Sequence, residues 1–454
     1  MAEENSTRRE ILKVGTQPRS FGLLHRILLS GCWLLLATAA LAQIEAENQL
    51  RDPDPKVRER AARQLGENGN PAYVSVLGGI VKDPDDKVRM AVVRSLIRLG
   101  TEASLAPLCQ AVQDALPEIR YLALDGIVNF YLPGFVDTGF GSTFRSVGQR
   151  MGNLFSDVDT AIVDPDTKLA PVVVETLRHA VTGAPDMNTR VRTARTLGIL
   201  RAKEAVPALL EAAFGNNADV TYEVLRAFQK IQDTSVGPRL SFLLSYPQKN
   251  IQQRAATTLG LLRAREAIPD LRQLLERTDD KNVRIATLEA LAFMPTAETA
   301  PTFEAYLGDR EKLLRAASAL GLGRLKDPNY TATLEQARSS ERDASVRLAL
   351  DFALVAHGRM DWMEELVSNL PSRVRVGEAR PYLIELAREA AVREALYPKL
   401  YSQEIEIRRN LAVILGASGD STSISYLEVL LRDPNAEVVQ EASRAIRILR
   451  SRGL

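Results

Sequence analysis

Residues that could carry out acid–base, nucleophilic or metal chemistry are scarce in this sequence. It contains 3 His and 2 Cys in 454 residues, and it has no phosphate-binding Gly-rich loop, Gly-x-Ser-x-Gly motif or His-Glu-x-x-His motif. His179 and His357 are not followed by Glu, so we expect helix-end or surface positions for both. The sequence therefore predicts a non-catalytic protein with no cofactor or metal site. Carboxylates that meet across distant segments could still form a pair that the sequence does not reveal.

The remaining reactive side chains have structural interpretations. Cys109 lies in the apolar stretch A-P-L-C-Q-A-V and is expected to be a small buried hydrophobe. The acidic clusters that include Asp83 and Asp280 are explained better by helix caps and turns than by metal ligands.

Composition and charge exclude several classes of protein. The chain is 45% hydrophobic and 25% charged, which is too apolar for a disordered chain and too polar for a multispan membrane protein. Lys plus Arg is 58 and Asp plus Glu is 57, giving a formal net charge of +1. This balance argues against a nucleic-acid partner.

The N-terminal segment has the three parts of a secretory signal peptide. Residues 27–42 contain no charge, follow a basic region and end in Ala-Leu-Ala. We predict a signal peptide over residues 1–42, cleaved after Ala42, and hence a periplasmic or secreted bacterial protein. The alternative is an uncleaved anchor in the inner membrane.

Two further export patterns are present. Leu29-Ser30-Gly31-Cys32 is similar to a lipobox, although the apolar run continues past Cys32. Arg8-Arg9 is similar to a twin-arginine signal, but it lies far from the apolar run, so Sec and twin-arginine export both stay open. A membrane tether is expected only if the signal stays uncleaved or Cys32 is lipidated.

From Gln49 onward the chain repeats a short pattern. D-P-D-P-K-V-R from Asp52 returns as D-P-D-D-K-V-R from Asp83, and most spacings between such units are 29 to 32 residues. The apolar residue before the Arg serves as an anchor, and a large apolar residue follows it eight positions later. The predicted anchors are Val57, Val88, Ile119, Val191, Val220, Ile251, Val283, Leu314, Val346, Ile407 and Val438.

Each repeat is predicted to contain two helices. The anchor and the residues four and eight positions later share one helix face, and Ala is frequent at positions +3 to +5, where small side chains let helices approach. We expect the Asp five residues before the anchor, as in Asp52-Pro53, Asp83-Pro84 and Asp433-Pro434, to cap the first helix. Neither helix can bury its apolar face alone, so the units must stack.

This pattern resembles the HEAT-repeat superfamily, in particular the short bacterial repeats called phycobilisome-lyase-like. The resemblance implies an all-α fold, a right-handed α-solenoid of about twelve helix pairs over residues 43–454. It also implies that the V-R helices line the concave side. The Arg after each anchor would form a structural ladder with an acidic residue of a neighbouring turn. The ladder positions are Arg58, Arg89, Arg120, Arg192, Arg284, Arg315, Arg347 and Arg408. Thr221, Gln252 and Val439 should interrupt it.

Two segments break the period. Residues 133–166 are rich in Gly and Phe, which indicates an inserted loop that docks back on the solenoid or binds a partner. The candidate partner-binding residues in it are Phe135, Phe140, Phe144 and Phe155. Residues 371–401 contain one strong helix starting at Pro381 and are interpreted as a degenerate repeat.

The predicted function is that of an interaction scaffold. Solenoids commonly hold a protein or peptide on an extended surface, here the concave side, the Phe-rich loop or both. The alternative, taken from the family name, is a bilin-lyase-like enzyme or lyase subunit, which the export signal opposes.

Overall fold

The computed structural model describes residue 45 and residues 48–136, 161–215 and 217–453. The predicted signal peptide over residues 1–42 and the candidate residues Phe140, Phe144 and Phe155 lie outside this part of the chain. The described residues are helical and contain no strand. The chain divides into two compact units, residues 1–146 and 147–454, and the boundary falls inside the predicted inserted loop.

Each unit is a solenoid of helix pairs. The longer helix of each pair carries the anchor, and we call these the V-R helices, α1 to α12. Unit 1 contains α1 Pro55–Asn68, α2 Asp86–Leu99 and α3 Pro117–Tyr131. Unit 2 contains α4 Met187–Ile199, α5 Ala218–Ile231, α6 Lys249–Leu261, α7 Lys281–Phe293, α8 Lys312–Leu325, α9 Ala344–Ala356, α10 Val376–Leu386, α11 Ile405–Ser418 and α12 Ala436–Ser451. The prediction of about twelve helix pairs in an all-α solenoid is confirmed.

Shorter helices alternate with the V-R helices. In unit 1 they are Tyr73–Gly79 and Leu105–Ala111. In unit 2 they are Pro171–Gly183, Val206–Phe214, Ile268–Arg277, Ala300–Tyr306, Thr331–Ser340, Met363–Val367, Ala390–Leu396 and Ser421–Val429. After α5 the place of such a helix is taken by two 3-10 stretches, Thr234–Arg239 and Ser241–Ser245.

The core of each unit lies between successive V-R helices and their shorter partners. Every residue at position +8 of the predicted repeats is buried, including Leu96 in unit 1 and Phe228 and Leu354 in unit 2. Successive V-R helices pack on one another, as α1 does on α2 and α6 does on α7. The apolar face of each helix is thus covered by the next repeat rather than by its own partner alone.

Close packing between V-R helices depends on glycine at position +9. An added Cβ at these glycines would come within 3.0 Å of a small residue at position +7 of the next V-R helix. The pairs are Gly66 and Ser95, Gly198 and Ala227, Gly260 and Ala290, Gly323 and Ala353, and Gly416 and Ala445. Between α2 and α3 the order is reversed, because Ile97 at +9 faces Gly126 at +7.

The helix caps lie two residues later than predicted. Asp54, Asp85 and Asn435, three residues before their anchors, accept hydrogen bonds from the first backbone N–H groups of α1, α2 and α12. The Asp residues five before the anchor do not cap the helix. Asp83 and Asp433 instead accept an N–H at the start of the turn and the Arg of the preceding repeat.

The register of the fourth repeat also differs from the prediction. Its anchor is Thr189 rather than Val191, because Thr189 is buried, follows the cap Asp186 by three residues, and places Leu197 at +8 and Gly198 at +9. The Thr189 hydroxyl donates to Asp186 Oδ2 at 2.5 Å, so a threonine fills a position that valine takes elsewhere without leaving a buried polar group unsatisfied.

Residues 371–401 do not contain one continuous helix. The predicted helix from Pro381 is interrupted at residues 387–389, between α10 and the helix Ala390–Leu396. Pro381 lies inside α10, and α10 packs between α9 and α11 as the V-R helix of this repeat. The buried residues of α10 are Ala379, Leu383 and Leu386, so Ala379 takes the place of the anchor, with Leu383 four positions later.

Candidate functional site

The arginines that follow the anchors join neighbouring turns. Arg58 donates from Nε and Nη2 to both carboxylate oxygens of Asp83, at 2.8 and 2.9 Å, and from Nη1 to the carbonyl of Asp52 at 2.8 Å. The same two-pronged contact with the acid of the next turn recurs elsewhere. These pairs are Arg89 with Asp114, Arg315 with Glu341, and Arg408 with Asp433. The side chains of these pairs are mostly buried, which indicates a structural role for the arginines.

The ladder arginines lower the pKa values of Asp433 and Asp83, two acids that they bind. The hydrogen bond from Arg408 lowers the pKa of Asp433 against the opposing effect of burial. Burial raises the pKa of Asp83, but hydrogen bonds from Arg58 and from the Asp85 N–H outweigh it, so the pKa of Asp83 is lowered. The charged form of both acids is therefore the form that the fold stabilises.

The other predicted ladder residues make different contacts. Arg120 and Arg284 donate to the carbonyls of their own turns, Asp114 and Thr278 respectively. Arg192 lies two residues past the ladder position, which belongs to Arg190, whose Nε donates to the Ala184 carbonyl at 2.8 Å. Arg347 is exposed on α9.

Two residues take ladder contacts that the sequence analysis did not assign. Gln252 donates to the Tyr246 carbonyl at 2.7 Å, in the position where an Arg was missing. Arg393, in a shorter helix, donates to the carbonyls of Ala387 and Arg388 and to Asp420 Oδ2. The Val392-Arg393 dipeptide has the same pattern as an anchor and its Arg, and it could have identified the contacts of Arg393 from the sequence.

A group of cationic side chains lies on one face of α4, α5 and α6, which we call the cationic cluster. Arg195 and Arg226 donate to Glu223 at 3.0 and 2.9 Å. Arg254 donates to the Tyr222 hydroxyl, and its guanidinium lies 4.7 Å from the Tyr222 ring centroid. The cationic cluster consists of Arg195, Arg226, Lys230 and Arg254 around the carboxylate of Glu223.

Burial and neighbouring positive charge lower two pKa values within the cationic cluster. Burial, followed by the charge of Arg226, lowers the pKa of Lys230 to about 8. Burial and the nearby Arg254 lower the pKa of Arg226. Both shifts make the charged forms of Arg226 and Lys230 less favourable than they are in water.

An acidic and aromatic group lies on the following V-R helices, α7 to α10, which we call the acidic–aromatic cluster. Arg324 donates to both oxygens of Glu385, at 2.8 and 2.9 Å, and lies 4.9 and 5.5 Å from the ring centroids of Phe293 and Phe352. Phe352 also contacts Tyr382, at 5.2 Å between centroids. The cluster is completed by Glu289 and Glu378.

Two groups of the acidic–aromatic cluster have raised pKa values. Burial, followed by the charge of Glu378, raises the pKa of Tyr382 to about 12, and Glu289 and Glu385 act in the same direction. Desolvation raises the pKa of Glu289. Arg324 pairs with Glu385, Glu378 accepts from Ser345 Oγ at 3.0 Å, and Glu289 is exposed. Carboxylates outnumber arginines in this cluster, so it favours positive charge in its surroundings.

The C-terminal end of the predicted loop is part of unit 2. Val163 is 4% exposed and donates its N–H to the Ile199 carbonyl at 3.0 Å. Lys230 Nζ donates to the Ala161 carbonyl at 3.2 Å. At the other end of the loop Phe135 is half-buried and donates its N–H to the Leu132 carbonyl. Residues 161–163 therefore pack against unit 2.

The described residues place the reactive side chains in structural roles. Cys109 is buried, as predicted. His357 ends α9 and contacts Thr331 Oγ1 and the Leu322 carbonyl, whereas His179 is exposed beside Glu175. No group of His, Cys, Asp and Glu suited to a metal ion occurs in the described ranges. No helix among these residues is long and apolar enough to cross a membrane.

Comparison with known proteins identifies the repeats. The family model for HEAT repeats matches residues 45–127, 206–292, 236–315 and 268–354, which together cover just over half of the chain. The chain belongs to the HEAT-repeat family. Residues 189–214 of this HEAT-repeat protein also match the model for a PBS lyase HEAT-like repeat, and that match starts at the anchor Thr189.

Solved structures similar to this HEAT-repeat protein are distant from it. The crystal structure of an engineered protein is 18% identical, with a TM-score of 0.33, and the match covers 89% of this chain and 98% of that one. The X-ray structure of YibA from Escherichia coli is 13% identical, with a TM-score of 0.40, over 66% of this chain and 95% of that one. No curated protein matches the HEAT-repeat chain.

Proposed function

We propose that this HEAT-repeat protein is a non-catalytic interaction scaffold that is exported from a bacterial cytoplasm and binds a protein or peptide along the V-R helices of unit 2. The observation that carries the proposal is the separation of charge along these helices. The cationic cluster occupies α4 to α6, and the acidic–aromatic cluster occupies α7 to α10. Stacking of the repeats would not by itself require clusters of opposite charge on successive V-R helices.

The two clusters define the chemistry of the partner. The half-buried Arg254 favours an acidic segment, while the exposed Glu289 and the half-buried Glu385 favour a basic segment. A partner with acidic and basic stretches in series would satisfy both clusters, and it would bind in one direction only. No cofactor or nucleic acid is part of this proposal.

Export is proposed on the basis of the N-terminal sequence alone. Residues 27–42 have the length and flanking charges of a signal peptide, and they end in Ala-Leu-Ala. Expression of the full chain in a bacterium, followed by fractionation and N-terminal sequencing, should give a periplasmic protein that begins at Gln43. A cytoplasmic protein that retains Met1 would refute the proposed location.

The binding proposal is tested by charge reversal on the V-R helices. Arg254→Glu reverses one charge in the cationic cluster, and Glu289→Lys reverses one charge in the acidic–aromatic cluster. Each variant should reduce the recovery of a partner that is cross-linked to the wild-type protein in the periplasmic fraction. Glu304→Lys is the matched control, because Glu304 is exposed on the shorter helix Ala300–Tyr306 that follows α7. A partner that is lost with Glu304→Lys but retained by both cluster variants would contradict the proposed surface.

A second candidate function is that of a bilin lyase or lyase subunit, favoured by the match of residues 189–214 to a PBS lyase HEAT-like repeat. It predicts transfer of a bilin to an acceptor protein when the purified chain is mixed with both. Failure of transfer at stoichiometric protein concentration would exclude it.

A further inference from the structure

A pocket in the C-terminal part of unit 2 lies outside both clusters. It is open to solvent, has a volume of about 360 Å³ and is lined by Glu394, Tyr397, Pro398, Tyr401 and Tyr426. All five residues belong to the shorter helices and 3-10 turns rather than to the V-R helices. The pocket is therefore separate from the surface proposed above.

The pocket has a fixed wall and an exposed rim. The rings of Tyr397 and Tyr426 stack with centroids 3.7 Å apart and an interplanar angle of 6°. Tyr397 is buried, and its hydroxyl lies 2.9 Å from Ser423 Oγ, which holds the ring in place. Tyr426 is 38% exposed and Tyr401 is 64% exposed, so both side chains are accessible to a ligand.

The stacked tyrosine rings beside Pro398 form a surface suited to a proline of a bound peptide. Aromatic-lined grooves bind extended proline-rich segments because such segments are already ordered as polyproline II helices and lose little entropy on binding. Their pyrrolidine rings can pack against tyrosine faces, while the hydroxyls of the more exposed Tyr401 and Tyr426 can donate to the peptide carbonyls.

The carboxylate of Glu394 adds a charge preference. Glu394 is exposed at the pocket, and no ion pair to it occurs among the described residues, although nearby Lys399 pairs with Glu364. Its negative charge is uncompensated in the pocket and favours a cationic side chain on the ligand.

We propose that this tyrosine pocket binds an extended, proline-containing peptide segment that carries a basic residue. A proline of the segment lies against Tyr401 and Tyr426, and the basic side chain pairs with Glu394. The proposal does not depend on the V-R helices, so either binding surface can fail without the other.

The proposal is tested with fluorescein-labelled synthetic peptides and the protein without residues 1–42. The probes are octaproline followed by two arginines, octaproline followed by two glutamates, and octaalanine followed by two arginines. Fluorescence anisotropy should show binding of the first probe and an affinity about tenfold lower for each of the others, a loss typical of one aromatic or charged contact.

Variants assign the binding to the pocket. Tyr401→Ala should weaken binding of the first probe about tenfold, and Glu394→Gln should remove most of the preference for arginine over glutamate. Phe242→Ala is the matched control, because Phe242 is an exposed ring stacked on Phe214 in another repeat of unit 2, and this variant should bind as the wild type does. Circular dichroism checks that each variant is folded.

Three results would overturn the proposal. They are no binding of the first probe at millimolar protein, equal binding of the polyproline and polyalanine probes, and binding that is unchanged in folded Tyr401→Ala.

Discussion

At the residue scale, four ladder arginines bond in two directions: Arg58, Arg89, Arg315 and Arg408. Arg89 binds the carbonyls of Asp83 and Pro84 in its own turn and the carboxylate of Asp114 in the next turn. One side chain thus satisfies carbonyls left free before a helix and also links two repeats. Gln252 and Arg190 make the contact with their own turn, to the carbonyls of Tyr246 and Ala184 respectively.

Removal of a buried ladder arginine should be costly. We expect Arg89→Met to lower the free energy of unfolding by about 3 kcal/mol, because the Asp114 carboxylate and two carbonyls lose their donor while mostly buried. Arg63→Met should change it by less than about 0.5 kcal/mol, because the Arg63–Glu59 pair is exposed. Urea unfolding followed by circular dichroism measures both, and similar values would show that the ladder carries no special stability.

The lowered pKa values of the ladder acids predict loss of stability in acid. An acid with a lowered folded-state pKa stabilises the fold above its unfolded pKa, about 3.9 for Asp, and this contribution disappears as the pH falls through the folded value. Asp433→Asn should therefore be less stable than the wild type at pH 6 and should lose less stability between pH 6 and pH 3. Melting temperatures across this range test the expectation, and parallel curves would contradict it.

The roles of these residues were only partly predictable. The repeat spacing located the arginines, and the resemblance to HEAT repeats implied that they form a ladder. It did not separate the helix cap from the acid that receives the Arg, because Asp83 and Asp85 are two residues apart and each can accept backbone N–H groups. The shift from Val191 to Thr189 was hidden because a threonine with a satisfied hydroxyl packs like a valine.

At the element scale, the V-R helices approach each other through position +9 on one helix and +7 on the next. The repeat pattern predicts this role for Ala at positions +3 to +5, and those residues are buried, as Ala255 and Ala256 are. The closest approach is nevertheless at Gly260 and Ala290. Spacing within one helix shows which side chains share a face, but the point where two helices cross depends on their relative position.

Substitution of two helical glycines should have opposite effects. Gly260→Ala should destabilise the protein by about 1–3 kcal/mol, because the new methyl group overlaps Ala290 in the adjacent helix. Gly377→Ala, near the start of α10, meets no atom within 4 Å and should stabilise by up to about 1 kcal/mol through helix propensity. Thermal melts distinguish the two cases, and stabilisation by Gly260→Ala would refute close packing at this position.

At the scale of the whole molecule, the chain forms two compact units. The number of helix pairs followed from the repeat spacing, since the long gap after Val346 held one further V-R helix, α10, in addition to the regular ones. The division near residue 146 falls within the segment expected to be an insertion. Composition indicated that this segment interrupts the repeats, but it did not reveal that Val163 belongs to the core of unit 2.

The two units should fold separately. Residues 43–136 and residues 161–454, expressed as separate fragments, should each be helical and unfold cooperatively, because the repeats of each unit pack on neighbours within that unit. The control is a cut inside unit 2 between Asp279 and Asp280, which exposes the apolar face between α6 and α7 and should give aggregated or poorly folded fragments. Fragments that become helical only when mixed would contradict the division.

The contact of glycine at +9 with a small residue at +7 has a consequence for how the chain can change in length. Since five junctions use the same pair of positions, a complete repeat of about thirty residues can be duplicated or removed, and both new neighbours still meet glycine against a small side chain. A single residue inserted within a V-R helix would instead turn the glycine away by about 100° and break that junction. Related chains should therefore differ by whole repeats or by loop segments, and not by one or two residues within these helices.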